Sequence, residues 1–401
     1  MKTLPTALLA TLVLAQVALY AAPPAPYAAF AKTRHRAPAT TAPATTAPAR
    51  AELEKRVERT FAVDAVGDLR LDNRHGDIDY RVHAANEVRI EVLIQATAGS
   101  ERKAQALLDR VDVALSGARD RVSAETKVRG GRVVSVSAGD GKSKGLSVDY
   151  VVHAPPGFRL ALRNSFGDVR LPDLVAPADI EVSYGDLETG DLAAGTEVAI
   201  GFGDAVLGFG ERLAVGVKYG KLDLAGAGEA TVHARFSEMR LGRFRRLELD
   251  SEYGKYTVQS AAAFVNEGGF NDFRIDSAES IRVGGHYNDV HVGYLATAGD
   301  VSVGFGDVHI ASTSERLERL SFEGSYTDLT AVLAEGLGYT MSAAASYGDI
   351  RYPKQGFTAT EQVGKAAQER RVEGHRDGPT QAVLTLRSSF GDLTVRSASG
   401  Q

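Results

Sequence analysis

Nine aspartates, Asp168, Asp186, Asp204, Asp272, Asp289, Asp307, Asp328, Asp349 and Asp392, each stand two residues after a Phe or Tyr. Carboxylates repeated at one position could hold calcium, and two of them across a groove could hydrolyse a glycoside. Calcium-binding rolls need a nine-residue Gly-rich spacing that is absent here. Lys221 and Lys255 also occupy the same position, which a cation ladder does not tolerate. A residue repeated in every unit makes no specialised acid–base pair, so these acids are read as turn caps. His286, His291 and His309 fall in neighbouring units and could bind zinc or nickel. No acid or third histidine shares their column at ligand spacing, which favours solvated side chains. Ser165, Ser183, Ser346 and Ser389 precede an aromatic but have no histidine at a fixed offset. No catalytic, cofactor-binding or metal-binding residue is assigned, the chain is read as no enzyme, and its ligand-binding residues are left open.

The elements that carry these residues follow from the repeat. The motif runs Phe166-Gly-Asp, Tyr184-Gly-Asp, Phe202-Gly-Asp, Tyr219-Gly-Lys, Phe236-Ser-Glu, Tyr253-Gly-Lys, Phe270-Asn-Asp, Tyr287-Asn-Asp, Phe305-Gly-Asp, Tyr326-Thr-Asp, Tyr347-Gly-Asp and Phe390-Gly-Asp. From Phe166 to Phe305 the aromatics are 17 or 18 residues apart; the later gaps are 21, 21 and 43. Counting from the aromatic, positions +3 (Val169, Leu187, Leu222, Val290) and +5 (Leu171, Leu207, Leu224, Val292) are apolar, as are even positions upstream such as Val198 and Ile200. Alternation of this kind is strand geometry. The inward parity switches across the Gly-Asp pair, which marks a corner. Units this short cannot close a core alone and must stack to share one, with the aromatic rings pointing inward. The Phe/Tyr alternation through nine motifs favours a coil of two motifs, about 35 residues, over one of about 17, without deciding between them.

The expected fold is therefore all-β: a β-solenoid, β-helix-like, of stacked aromatic-Gly-Asp repeats with an N-terminal β-rich cap containing one short helix. Residues 1–22 read as a signal peptide, since Lys2 precedes an apolar run that ends in small residues. Residues 23–52 are a Pro/Thr/Ala-rich disordered linker, containing APATTAPATTAPA. The cap is placed at 53–163, with its helix around Ser100 to Arg110, and the repeats at 164–352. Residues 353–380, polar and without strand period, read as a flexible loop, and 381–401 as closing strands and C-terminus.

Composition narrows the function classes. A net charge of −5 on a mixed-sign chain lacks the clustered basic face that nucleic acid requires. With no cysteine there is no disulfide, thiolate metal site or lipid attachment through cysteine. No stretch after the signal is long and apolar enough to span a bilayer as a helix.

The order LDNRHGDIDY, NEVRIEV, a short helix, VDYVVHAPPGFRLALRNSFGDV and then SYGDL and SFGDL repeats resembles the putative adhesin family of bacterial envelope proteins, related to adhesin-head-like GIN-type domains. The resemblance spans most of residues 60–397 and departs in lacking any Trp; His83-Ala84 stand where similar sequences often carry an aromatic. It implies a secreted or envelope-associated β-solenoid with an adhesive role and supplies no catalytic residues. Together these readings give an exported scaffold in the periplasm, at the outer surface or outside the cell. Outward columns of Arg, Glu, Asp and His would meet glycans or envelope components. The alternatives are a periplasmic scaffold without external ligand and a polysaccharide-active enzyme.

Overall fold

A computed structural model describes residues 50–130, 145–364 and 368–398. The signal segment and the linker up to residue 49 lie outside them. Residues 50–401 fall within one compact unit. It is almost all β, with one helix among the described residues, Glu101–Leu108. This helix sits where the sequence places it and buries Ala104 and Leu108.

Between Gly157 and Gly285 the chain pairs with itself in parallel, one copy of the motif against the next. Ala178–Ser183 lies beside Gly157–Ser165 in the register Ile180 to Leu162, an offset of 18. Ala205–Lys218 lies beside Lys221–Arg235 with Leu207 opposite Leu224, an offset of 17. A rung of the stack is thus one motif of 17 or 18 residues, and the two-motif coil is not the unit of pairing. Stacked parallel strands bring like positions together, so each interior column is continuous. Val169, Leu187 and Leu222 at +3, Leu171, Leu207 and Leu224 at +5, and Val198 and Ile200 upstream are all buried.

The stack begins earlier than the repeat search finds. Val66–Asn73 pairs in parallel with Gly157–Ser165, and Ile78–Val82 with Val169–Leu171. The corner between them is His75-Gly76-Asp77, an unrecognised copy with His in the aromatic position. Ile78–Val82 also pairs in parallel with Gly145–Ala154, from which antiparallel strands continue the sheet: Glu87–Ala98 against Gly145–Ala154, and Ala51–Ala62 against Glu87–Ala98. Strand structure therefore starts at Ala51, two residues inside the expected linker.

The C-terminal end departs from sequence order. Gln381–Ser389 pairs in parallel with Arg319–Ser325 on one side and with Gly338–Ser346 on the other. Leu393–Ser397 likewise sits between Thr327–Leu333 and Ile350–Arg351. The closing strands are inserted between two earlier copies instead of lying outside them. Residues 353–380, expected to be a flexible loop, contain Phe357–Val363 and Glu369–Arg376, paired antiparallel with each other. Glu369–Arg376 also pairs antiparallel with Gly338–Ser346. The hairpin covers an otherwise open strand edge, and backbone hydrogen bonding there needs no apolar alternation, which is why the segment lacks a strand period.

Candidate functional site

The aromatic residue of each motif points out, not in. Phe166, Tyr184, Phe202, Tyr219, Phe236, Tyr253, Phe270, Tyr287, Tyr326, Tyr347 and Phe390 all have φ between 52° and 63°, the left-handed region. Bulky side chains rarely adopt it. Its effect is to place two consecutive side chains, the aromatic and the residue before it, on the outside. The next residue, most often Gly, then turns inward. The parity switch thus lies at the ring itself, one position earlier than the sequence suggests. The Gly is needed because a Cβ at Gly185 or Gly203 would collide with the carbonyl of the Gly below it, Gly167 or Gly185. Where the position is Asn271 or Asn288, the column two residues before the ring is Gly268 or Gly285, and at Gly285 the Asn288 amide nitrogen lies where a Cβ would come within 3.1 Å of it.

The rings are between 37% and 57% exposed and stack face to face. From Phe166 to Phe305, successive centroids are 4.6–5.0 Å apart with planes within 13°. The ladder continues from Phe305 to Tyr326, then Phe390, then Tyr347, at 5.0, 4.6 and 4.7 Å. Insertion of the last copy therefore restores, in space, a Phe/Tyr alternation that the sequence breaks after Tyr326. At the other end His75, nearly buried, stacks on Phe166 at 5.5 Å. Burial, and then the Arg74 charge, hold its pKa below the usual 6.5.

Beside the rings runs the row of acids. Most cap a neighbouring rung: the backbone N–H of Asp168 donates to Asp77 Oδ1 at 2.8 Å, that of Asp186 to Asp168 Oδ1 at 2.9 Å, and that of Asp204 to Asp186 Oδ1 at 2.9 Å. The same bond joins Asp307 to Asp289, Asp392 to Asp328 and Asp349 to Asp392. The capping role read from the sequence holds, but it bridges rungs instead of closing a local turn. One oxygen of each of these acceptor carboxylates is used this way. The other remains in Asp186, Asp204, Asp289 and Asp328, which are exposed, as is Asp307. Burial, followed by the charges of Asp328 and Asp289, raises the pKa of Asp307 above 3.8. In mid-stack the row reads Asp204, Lys221, Glu238, Lys255, Asp272, and Lys255 pairs with Asp272 at 3.5 Å. Rings and row border a shallow open depression from Asp204 to Phe270.

The remaining candidates separate. His291 and His309 stack at 5.0 Å, while His286 lies in another column against Gly304. Burial, then His291 and Arg396, lower the pKa of His309. Among the described residues no three His, Asp or Glu side chains converge on a metal position. Ser183, Ser346 and Ser389 accept, through their carbonyls, the amide N–H of a neighbouring ring residue, at 2.7–2.9 Å. Outward charges at +4 are partly engaged with one another, as Arg170 with Glu188 and Arg240 with Asp223. The missed copy at His75 had a signal: Asn73 and Asn164 stand two residues before His75 and Phe166, and both donate from Nδ2 to the carbonyl three residues on, at 3.2 and 2.9 Å.

No protein-family model matches the sequence, and no curated protein matches it. Solved structures do. A putative cell adhesion protein from Clostridium sporogenes ATCC 15579 is similar at 10% identity and TM-score 0.20, over 86% of this chain and 100% of that one. A putative adhesin from Parabacteroides merdae ATCC 43184 is similar at 11% identity and TM-score 0.30, over 69% and 95%. One from Bacteroides fragilis NCTC 9343 is similar at 14% identity and TM-score 0.30, over 69% and 96%. At these TM-scores the likeness extends to no individual residue.

Proposed function

We propose that this chain is an exported β-solenoid scaffold of the bacterial envelope or cell surface, adhesin-like and without catalytic activity, which binds through one repetitive face. The observation that carries the reading is the unbroken exposed ladder from Phe166 to Tyr347. A contiguous apolar stripe of this length is uncommon on a soluble monomer and marks an interaction surface. Every rung offers the same ring edge and, in most, the same carboxylate, so weak contacts add along the stack and no single pocket is required. The +4 columns first expected to bind are the weaker candidate, because their charges are partly spent on neighbouring rungs. The signal-like N-terminus and the resemblance to putative adhesins favour an envelope or surface location.

The test is co-sedimentation of purified protein with envelope preparations from its own cells, combined with protease shaving of intact cells. A Tyr219→Ser, Tyr253→Ser, Tyr287→Ser variant, which keeps the β-sheet circular dichroism, is expected to sediment at least about ten-fold more weakly, since contacts on three alternate rungs are lost together. A folded variant that sediments like the natural chain ends this reading.

A further inference from the structure

We propose that the ladder face is built for a linear β-linked glycan that carries free amino groups, a polymer of the glucosamine type. The inference rests on the binding-scaffold reading and names its ligand.

Three features of the face select this chemistry. The first is its period. Rungs repeat every 4.6–5.0 Å, so the tyrosine hydroxyls, present on alternate rungs, recur about every 9–10 Å. A hexopyranose is about one rung long, and in an extended β-linked chain successive sugars alternate in face. Such a polymer offers each Tyr the same hydroxyl edge at every second sugar. An extended peptide repeats its side chains on one face every ~6.6–6.8 Å and falls out of step within a few rungs.

The second feature is the shape of the apolar stripe. Ring faces are consumed by stacking, so only edges are presented, forming a narrow strip that a sugar chain covers lengthwise with its C–H surface. A flat aromatic ligand would find no free ring face between Phe166 and Tyr347.

The third is charge. One oxygen of Asp186, Asp204, Asp289 and Asp328 caps the next rung, and the exposed carboxylates of these four and of Asp307 line the strip at the rung spacing. The ammonium of every second sugar faces the row and meets a carboxylate on alternate rungs, whereas polyuronates and nucleic acids are repelled by the same row. Lys221 and Lys255 interrupt the acids in mid-stack. They divide the face into two acidic runs joined by a segment that suits acetylated, uncharged sugars.

Isothermal titration of the full chain with a glucosamine hexamer decides the matter, alongside the N-acetylated hexamer, an oligouronate and hexalysine. The expected result is binding of the glucosamine hexamer, weakened by salt through screening. Asp289→Asn, Asp307→Asn, Asp328→Asn should weaken it about ten-fold or more. Each Asn retains the Oδ1 acceptor, so the rung caps survive. Lys221→Asp with Lys255→Asp should tighten binding of longer oligomers, a gain that misfolding cannot mimic. Equal binding of hexalysine would overturn the glycan in favour of any polycation. Equal binding of the acetylated hexamer, unaffected by the Asn variant, would overturn the role of the acid row. No response to any glycan from a protein that still sediments with envelopes would overturn this inference and leave the scaffold reading standing. Loss of both would remove that reading as well.

Discussion

A phenylalanine held at φ near +55° carries a backbone cost that few proteins accept even once, and here it recurs on nearly every rung. What offsets it is the ladder: each interior ring stacks on two neighbours, and aromatic pairs contribute ~0.5–1.5 kcal/mol apiece. Phe236→Ala, with stacking partners at 5.0 and 4.9 Å, is therefore expected to cost about 1–3 kcal/mol. Phe273→Ala, fully buried three residues after the Phe270 ring, should cost ~3–5 kcal/mol. Urea denaturation of the two variants separates them; equal losses would mean that the ladder rings behave as core. The sequence could not show this distinction. Period-2 alternation assigns sides only while the backbone stays extended, and one left-handed residue reverses every assignment after it. Positions +3 and +5 were legible because they lie downstream of the switch on both counts, while the ring stood at the switch itself.

Among the elements, the order of the last three copies was the least legible. Spacings of 17 or 18 residues leave no room for anything but the next rung, so the stack from Phe166 to Phe305 follows the chain. The 43 residues between Tyr347 and Phe390 permit a return, and the strands use it. Leu384, Leu386 and Leu393 are completely buried, because each is flanked by a copy above and a copy below. Had the last copy lain outermost, one side would have needed a polar cover. Removing residues 379–401 should accordingly lower hydrogen-exchange protection in Arg319–Ser325 and Gly338–Ser346, each of which loses Gln381–Ser389 from one side and keeps a partner only on the other. Undiminished protection of both strands in the truncated chain would contradict the inserted order. The alternation of ring types offers a reason for that order to be unique: Phe390 fits between Tyr326 and Tyr347 without bringing two hydroxyls onto adjacent rungs.

In the whole molecule each motif touches chiefly the motifs on either side, so stability is carried by a chain of nearest-neighbour interfaces. Exchange protection should then be greatest between Thr196 and Val303, which have complete rungs on both sides, and should decline toward Phe357–Val363, an edge strand that is mostly exposed. Uniform protection from end to end would indicate a single cooperative core instead. The all-β class, the motif spacing and the buried columns followed from composition, spacing and alternation, since all three are consequences of local strand geometry, whereas the favoured two-motif coil gave way to pairing from one motif to the next. Three things had to wait for the folded chain: the outward rings, the His75 rung some ninety residues before its neighbour in the repeat, and the insertion of the final copy. Each depends on which distant segments come to lie side by side, and on backbone angles that no side-chain pattern encodes. The sequence by itself therefore specified a stack of like rungs with a dry interior; only tertiary pairing decided which residues line its outside and what that outside can hold.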